Sequence, residues 1–352
     1  MHTPLVARCL RGLEAVVAAE VLGSGLGAVT DLRHREVHFR THHPVRPLRT
    51  ADDVFLLAAR CPDTGPARQD LHRLGELVRL TDTDRLLSLR HGESAPAGVE
   101  VSASFLGRRA FTRYDAEDVV GEALARRLGV PYHSRREGAA PPPGCDGWRL
   151  TLDGTRATLL LRVDDRPLHR RAYKRRTVPG TLHPPLAAAM AALAGIRPGQ
   201  TVLDPCCGAG TLLIEAALTR PDARFNGFDL SAEAVAAARA NAGELPVTVR
   251  RGDAGRLPLP DGAVDRVLCN PPWGTQVHAG GLLAGAPDRW WTELRRVLSR
   301  DGTAVLLLPG REDLAAALRH GFIPVHTQRL RLSGAQPFLV RLASADGGRS
   351  RR

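Results

Sequence analysis

The stretch Thr201–Leu218, Thr-Val-Leu-Asp-Pro-Cys-Cys-Gly-Ala-Gly-Thr-Leu-Leu-Ile-Glu-Ala-Ala-Leu, constrains the fold more than any other part of the chain. Thr201–Leu203 is a short apolar run with β-branched residues, which predicts a buried strand. Pro205 has no amide hydrogen and stops that strand. Gly208 and Gly210 let the backbone turn sharply and approach a ligand with no Cβ in the way. Thr211 stands where a helix cap is expected, and Leu212–Leu218 where the buried first turns would follow. Strand, glycine loop and helix form the cofactor-binding half of a doubly wound sheet. A dinucleotide fingerprint needs a further glycine where Leu213 stands, and a phosphate-cradling P-loop needs Gly-Lys-Ser/Thr, which this chain lacks.

The strands that follow carry their own punctuation. Phe225–Asp229 ends in a carboxylate about 20 residues beyond the glycines, where a doubly wound sheet faces the ribose hydroxyls of its ligand. Each charge-assisted hydrogen bond there contributes about 1.5–3 kcal/mol. Val247–Arg250 predicts the third strand, and Asp253 just after it is placed to accept from an adenine amine. Asp265–Cys269 predicts the fourth, running into Asn270-Pro271-Pro272-Trp273-Gly274. The prolines forbid a helix and expose the Asn270 side chain and the Pro271 carbonyl, both acceptors, at the strand's carboxyl end. Trp273 offers a flat face for a base, with stacking of about 1–3 kcal/mol.

Asp204 with Gly-Ala-Gly resembles motif I of S-adenosylmethionine (SAM) methyltransferases. Asn270–Gly274 resembles the signature of those that act on planar amino nitrogens: adenine N6, cytosine N4, guanine N2 or a glutamine amide. Trp273 stands where Tyr or Phe is commoner in that signature.

The formal net charge of +12 favours a polyanionic partner. Lys174 is the sole lysine, so arginine carries that charge. The 6 cysteines contain no Cys-x-x-Cys, which argues against both a zinc site and a disulfide framework. His34, His38, His42 and His43 alternate with Arg and Pro with no carboxylate partner in view, so no metal is expected. No apolar run approaches a membrane span and no signal peptide is read, so a cytoplasmic protein without a membrane partner is expected; a monomer is the expected state.

Before the glycine loop, strands are expected at Leu5–Leu10 and Val37–Arg40, with helices over 13–22 and Ala51–Ala59. Further on, Leu71–Val78 and Thr83–Leu89 read as helices and Val99–Phe105 as a strand. A helix follows from Ala116 to Leu128 with Asp115 as its cap, and Trp148–Leu152 pairs with Ala157–Val163 as a hairpin. After the catalytic motif, Asp288–Leu298 and Arg311–Arg319 read as helices. Gly302–Leu308 reads as a strand, and Phe322–Leu332 with Gln336–Leu342 form a closing hairpin around Ser333-Gly334.

The segments 4–22, Val101–Leu124, Leu168–Tyr173 and Pro179–Ala194, together with motif I and Asn-Pro-Pro-aromatic-Gly, resemble THUMP-domain-containing class I SAM-dependent RNA (guanine-N2) methyltransferases. That resemblance covers nearly the whole chain. It implies an α/β chain: an α+β ferredoxin-like domain (1–60), a THUMP-like RNA-binding domain (61–165), a basic linker (166–185), a Rossmann-like methyltransferase domain with a seven-stranded sheet (186–343) and a disordered tail (344–352). It also implies SAM as cofactor and N2-methylguanosine as product, with structured RNA, tRNA foremost, as partner. SAM would be held by Asp204, Pro205, Gly208, Gly210 and Thr211 at its methionine end. Asp229 and Leu230 would hold the ribose, Asp253 and Ala254 the adenine, and Asn270 would reach the cofactor as well as the base. The catalytic set is Asn270, Pro271, Pro272 and Trp273. The RNA contacts expected are Arg108, Arg109 and Arg113, and from the linker Arg170, Arg171, Lys174, Arg175 and Arg176. The alternatives are a 23S ribosomal RNA guanine, a DNA adenine or a protein glutamine as target, and, outside enzymes, an RNA-binding protein that has lost catalysis. A cysteine nucleophile is rejected because Cys269 precedes Asn270 at the end of a buried strand.

Overall fold

A computed structural model describes residues 2–91, 95–272, 278–332 and 334–345. The chain divides into two compact units: Met1–Arg8 with Ala18–Leu168, and Cys9–Val17 with His169–Arg352.

The first unit is built on β1 (Thr3–Arg8), β2 (Ala28–Arg33), β3 (Glu36–Thr41), β4 (Asp53–Pro62), β5 (Gly98–Phe105), β6 (Cys145–Leu152) and β7 (Arg156–Arg162). They form one sheet in the order β2-β3-β1-β4-β7-β6-β5, parallel only between β5 and β6. Two expectations need correcting here. The helix expected over Ala51–Ala59 is instead β4, paired to β1 on one side and β7 on the other. Val54–Leu57 is a continuous apolar run, which in a central strand shows no alternation and is indistinguishable by periodicity from a buried helix. The boundary expected at residue 60 falls inside that strand, so a single sheet runs through both of the domains expected before residue 165. Edge strand β2 went unforeseen, because its outward-facing residues carry no apolar alternation.

The α-helices before residue 168 are α1 (Glu14–Gly23), α2 (Gly75–Arg79), α3 (Thr83–Leu89) and α4 (Arg113–Leu128), of which α1 is shared between the two units. Thr112, not Asp115, caps α4. The Thr112 hydroxyl accepts from the Asp115 amide, and the Asp115 carboxylate accepts from the Thr112 amide at 2.8 Å, a reciprocal capping box.

The second unit carries β8 (Thr201–Asp204), β9 (Arg224–Asp229), β10 (Val247–Arg251), β11 (Val264–Cys269), β12 (Leu298–Leu308), β13 (Phe322–Arg329) and β14 (Phe338–Ser344). Their order is β10-β9-β8-β11-β12-β14-β13; β8 to β12 are parallel and β13–β14 is the antiparallel hairpin expected at the end. Helices α5 (Pro184–Ala194), α6 (Thr211–Thr219), α7 (Ala232–Ala242), α8 (Asp288–Val297) and α9 (Arg311–Arg319) complete it. Leu203, Phe228, Val267, Cys269 and Leu306 of the sheet pack with Trp290, Trp291 and Leu294 of α8 in one core. Ser344, which the expected tail of 344–352 included, instead closes β14, and residues 346–352 lie outside the described residues.

Candidate active site

The strand order reverses direction between β8 and β11, and the carboxyl ends of the parallel strands meet there. Ligands of open α/β sheets bind at such a switch point. Asp204 ends β8, Asp229 ends the neighbouring β9, and Asn270 follows β11 on the other side. The separately predicted acids and the amide therefore converge on one edge.

The loop after β8 is tightly specified. The Cys206 amide donates to Asp204 Oδ1 at 3.1 Å, the Cys207 amide to the Phe228 carbonyl at 2.9 Å, and the Gly208 amide to Asp229 Oδ2 at 2.9 Å. Gly208 and Gly210 have φ of 52° and 80°, so both occupy the left-handed region that side chains disfavour. Gly210, not Thr211, caps α6; Thr211 is its first helical residue and is buried, so the expected cap is corrected.

Asp204 is 2% exposed, and burial pushes its pKa up to about 8, with the Asp229 charge adding and the Cys206 amide opposing. Burial therefore favours the protonated carboxyl over the carboxylate. Burial also pushes the Cys207 and Cys269 thiols well up, so neither supplies a thiolate. Asp229 is half-buried, and its Oδ1 accepts the Ser231 amide at 2.9 Å. Leu230 beside it is 37% exposed. Asp253 accepts from the Gly255 amide on Oδ1 and the Leu282 amide on Oδ2, each at 2.8 Å. Ala254 is buried in the core, and Pro205 is buried behind the loop. Asn270, Pro271 and Pro272 are half-exposed at the end of β11, whereas Trp273 and Gly274 lie outside the described residues.

These residues fit SAM. Each carboxylate oxygen has two lone pairs, so Asp229 and Asp253 keep acceptor capacity for ribose hydroxyls and an adenine amine beyond the amides they already hold. A Cβ built on Gly208 would meet only Val178 Cγ2, at 3.8 Å, which leaves the loop's face open to a ligand.

The arginines divide differently from the sequence expectation. Arg108 and Arg113 are exposed, the latter donating to the Tyr114 hydroxyl at 2.6 Å. Arg109 is not available to RNA. Its side chain is 3% exposed and donates from Nη1 and Nη2 to both Asp63 oxygens at 2.6 and 2.7 Å. Arg171 is likewise turned inward, with Nε 2.9 Å from Oε1 of the fully buried Glu215. Lys174 is half-buried, which pushes its pKa down. The side chains of Arg170, Arg175 and Arg176 face solvent. His38 does have a carboxylate partner: its Nε2 lies 3.1 Å from Glu36, which also takes Arg8 at 2.6 Å. This is a hydrogen-bonded network around the Arg8–Glu36 ion pair, and among the described residues no group of His, Cys, Asp and Glu could hold a metal ion.

The sequence reading missed Asn241, a polar residue 4% exposed on the Ala-rich α7, whose side chain bonds both the glycine loop and the linker. Its one signal was a polar residue in an otherwise alanine-rich helical face.

The chain is similar to known methyltransferases. The UPF0020 family, described as an RMKL-like methyltransferase domain, matches residues 171–331. The tRNA (guanine(6)-N2)-methyltransferase of Thermus thermophilus is 34% identical over 339 residues, covering 93% of this chain and 95% of that protein. The U6 snRNA (guanine-N(2))-methyltransferase THUMPD2 of Mus musculus is 30% identical over 213 residues, 57% of this chain and 36% of its own length. The crystal structure of TrmN from Thermus thermophilus superposes with a TM-score of 0.74 at 29% identity, over 97% of this chain and 100% of that one. The chain belongs to the THUMP-containing, SAM-dependent RNA (guanine-N2) methyltransferases, with a class I catalytic domain of the RMKL-like kind.

Proposed function

We propose that this methyltransferase acts on the exocyclic N2 amine of a guanosine in tRNA. The observation that carries the reading is likeness over nearly the full length of a relative named as a tRNA guanine-N2 methyltransferase. The Asn270-Pro271-Pro272 turn at the switch point supports it chemically.

SAM, when bound, supplies an electrophilic methyl group on a sulfonium. The glycine loop and Asp229 would hold the cofactor, and Asp253 would accept from its adenine amine. Asn270 Oδ1 and the Pro271 carbonyl accept the two N–H groups of the target amine and orient it. Accepting both hydrogens draws the nitrogen lone pair out of the ring's conjugation and makes it nucleophilic. Positioning supplies most of the rate. No strong base is required, because the amine proton becomes acidic as the new bond forms and can leave to solvent. The base must leave its stack to reach the turn, at a cost of a few kcal/mol; Trp273 is assigned the stacking that offsets this. Exposed Arg108, Arg113, Arg170, Arg175 and Arg176 are assigned to phosphate. Each neutralised phosphate steepens the salt dependence by about 0.7–0.9. The enzyme would work as a monomer in the cytoplasm, where its substrate is.

The test is transfer from tritiated SAM into tRNA, ribosomal RNA and duplex DNA in parallel, followed by nucleoside analysis. N2-methylguanosine in tRNA is the expected product. Label confined to ribosomal RNA, or found in DNA adenine, would overturn the substrate assignment.

A further inference from the structure

The basic segment before the catalytic domain looks in sequence like a solvated connector, but its backbone is bound to the cofactor loop. Asn241 makes the connection. Its Oδ1 accepts the amides of Arg175 and Arg176 at 3.0 and 2.9 Å, and its Nδ2 donates to the carbonyls of Arg176 and Ala209 at 2.9 and 3.0 Å. Two acceptor sites and two N–H donors are all used, and the pattern of partners fixes which way the amide points. Ala209 is the residue between Gly208 and Gly210. One turn earlier on α7, Ala238 Cβ lies 3.1 Å from where a Cβ on Gly210 would sit. The same face of α7 therefore grips the loop by a carbonyl and presses it at a glycine.

Two further contacts bind the segment to the cofactor side of the domain. Val178 Cγ2 approaches Gly208, and the Tyr173 hydroxyl donates to Glu215 Oε1 at 2.7 Å, on the helix that begins at the glycine loop. Glycines give a loop more conformational freedom to lose on binding than other residues do. A buried amide that holds the intervening carbonyl removes part of that freedom before the ligand arrives, which raises affinity by preorganisation.

We infer that Asn241 is a positioning residue for the cofactor loop, and that through it the segment 173–178 forms part of the SAM site. The inference rests on the cofactor and not on the choice of RNA, so a failed tRNA assignment leaves its test intact.

The test is calorimetric titration of the full chain with S-adenosylhomocysteine, without RNA. It compares the wild type, Asn241→Ala, the milder Asn241→Ser, and Arg239→Ala. Arg239 sits on the same helix but donates to the Val249 carbonyl of β10, away from the loop, so its loss destabilises α7 without touching the site. Asn241→Ala is expected to bind about tenfold more weakly, the equivalent of one to two hydrogen bonds, and Asn241→Ser less severely. Arg239→Ala is expected to melt lower yet bind as the wild type does. In turnover, Asn241→Ala should raise the KM for SAM, and Arg239→Ala should leave it unchanged. Wild-type affinity in both Asn241 variants would overturn the inference. So would an equal loss of affinity in Arg239→Ala, because the effect would then be general loosening of the helix.

Discussion

Arg108 and Arg109 are neighbours in sequence with opposite surroundings, and replacing each by alanine separates the two roles an arginine plays in this chain. The Arg109 and Asp63 side chains are each 3% exposed. Besides its two bonds to Asp63, Arg109 donates to the Gly65 carbonyl at 2.7 Å. Asp63 in turn accepts the Gly65 amide at 3.0 Å and the Gly154 amide at 2.8 Å, which ties the end of β4 to the β6–β7 turn. Burial pushes the Asp63 carboxyl up, but Arg109 and these amides outweigh it and hold the pKa below the ordinary value. The carboxylate therefore stabilises the fold at pH values above about 3.8, and that contribution is lost as pH falls through the lower native value. Truncating one partner of a buried pair costs about 3–5 kcal/mol, and the two amides left on Asp63 favour the lower end. At about 2–4 °C per kcal/mol for a unit of this size, the unfolding midpoint should fall by about 6–20 °C. Arg108→Ala should change stability by less than about 0.5 kcal/mol and lower the salt slope of tRNA binding by about 0.7–0.9. Circular dichroism melts and anisotropy titrations at several salt concentrations measure both. An Arg109→Ala protein that melts like the wild type but loses that increment of slope would refute the internal role argued for Arg109.

Three further outcomes follow from the site. Asn270→Ala should lower kcat by about 100-fold or more through lost positioning of the amine, with RNA affinity nearly unchanged; equal loss of both would remove the role given to Asn270. Asp229→Ala should weaken S-adenosylhomocysteine binding by about 10- to 100-fold, since it deletes a charged acceptor of both the Gly208 amide and the ligand; an unchanged dissociation constant in calorimetry would contradict this. Asp204 binds a proton in the native state up to about pH 8 and in the unfolded state only to about pH 3.8, so the wild type loses stability as pH rises between those values. Asp204→Asn removes that slope, and its stability relative to wild type should grow from pH 4 to pH 8 in thermal melts; a constant difference would mean that Asp204 is ionised in the fold.

The catalytic half was legible because its strands end in residues that chain geometry rarely tolerates elsewhere. Pro205, Gly208, Gly210 and the Asn270-Pro271-Pro272 run each stop an element for a local reason, and local reasons are written in local sequence. What failed to show was non-local. β4 was misread because a strand buried on both faces has no period, and only its pairing with β1 and β7 decides it. Arg109 could not be told from Arg108, because Asp63 lies 46 residues away along the chain. The high pKa of Asp204 comes from burial that the motif does not encode.

These failures change how the positive charge should be read. A net charge of +12 suggests an RNA-binding surface, yet it counts Arg109 and Arg171, which compensate buried acids, equally with Arg175 and Arg176, which face solvent. Charge buried against charge contributes little to a long-range field, while an exposed guanidinium contributes to counterion release. The residues able to steer a polyanion are thus fewer than the composition implies, and they are set by which arginines found partners during folding. In 170–176 the two kinds alternate closely. Arg171 and the backbone at 175 and 176 anchor the segment to α6 and α7, so the backbone that carries the outward side chains of Arg170, Arg175 and Arg176 is fixed. A phosphate meeting them is spared the backbone ordering entropy that a flexible basic tail would have to lose. Anchoring by some arginines is therefore what makes the others effective, so Asn241→Ala, which releases the backbone but removes no charge, should weaken RNA binding without lowering its salt slope.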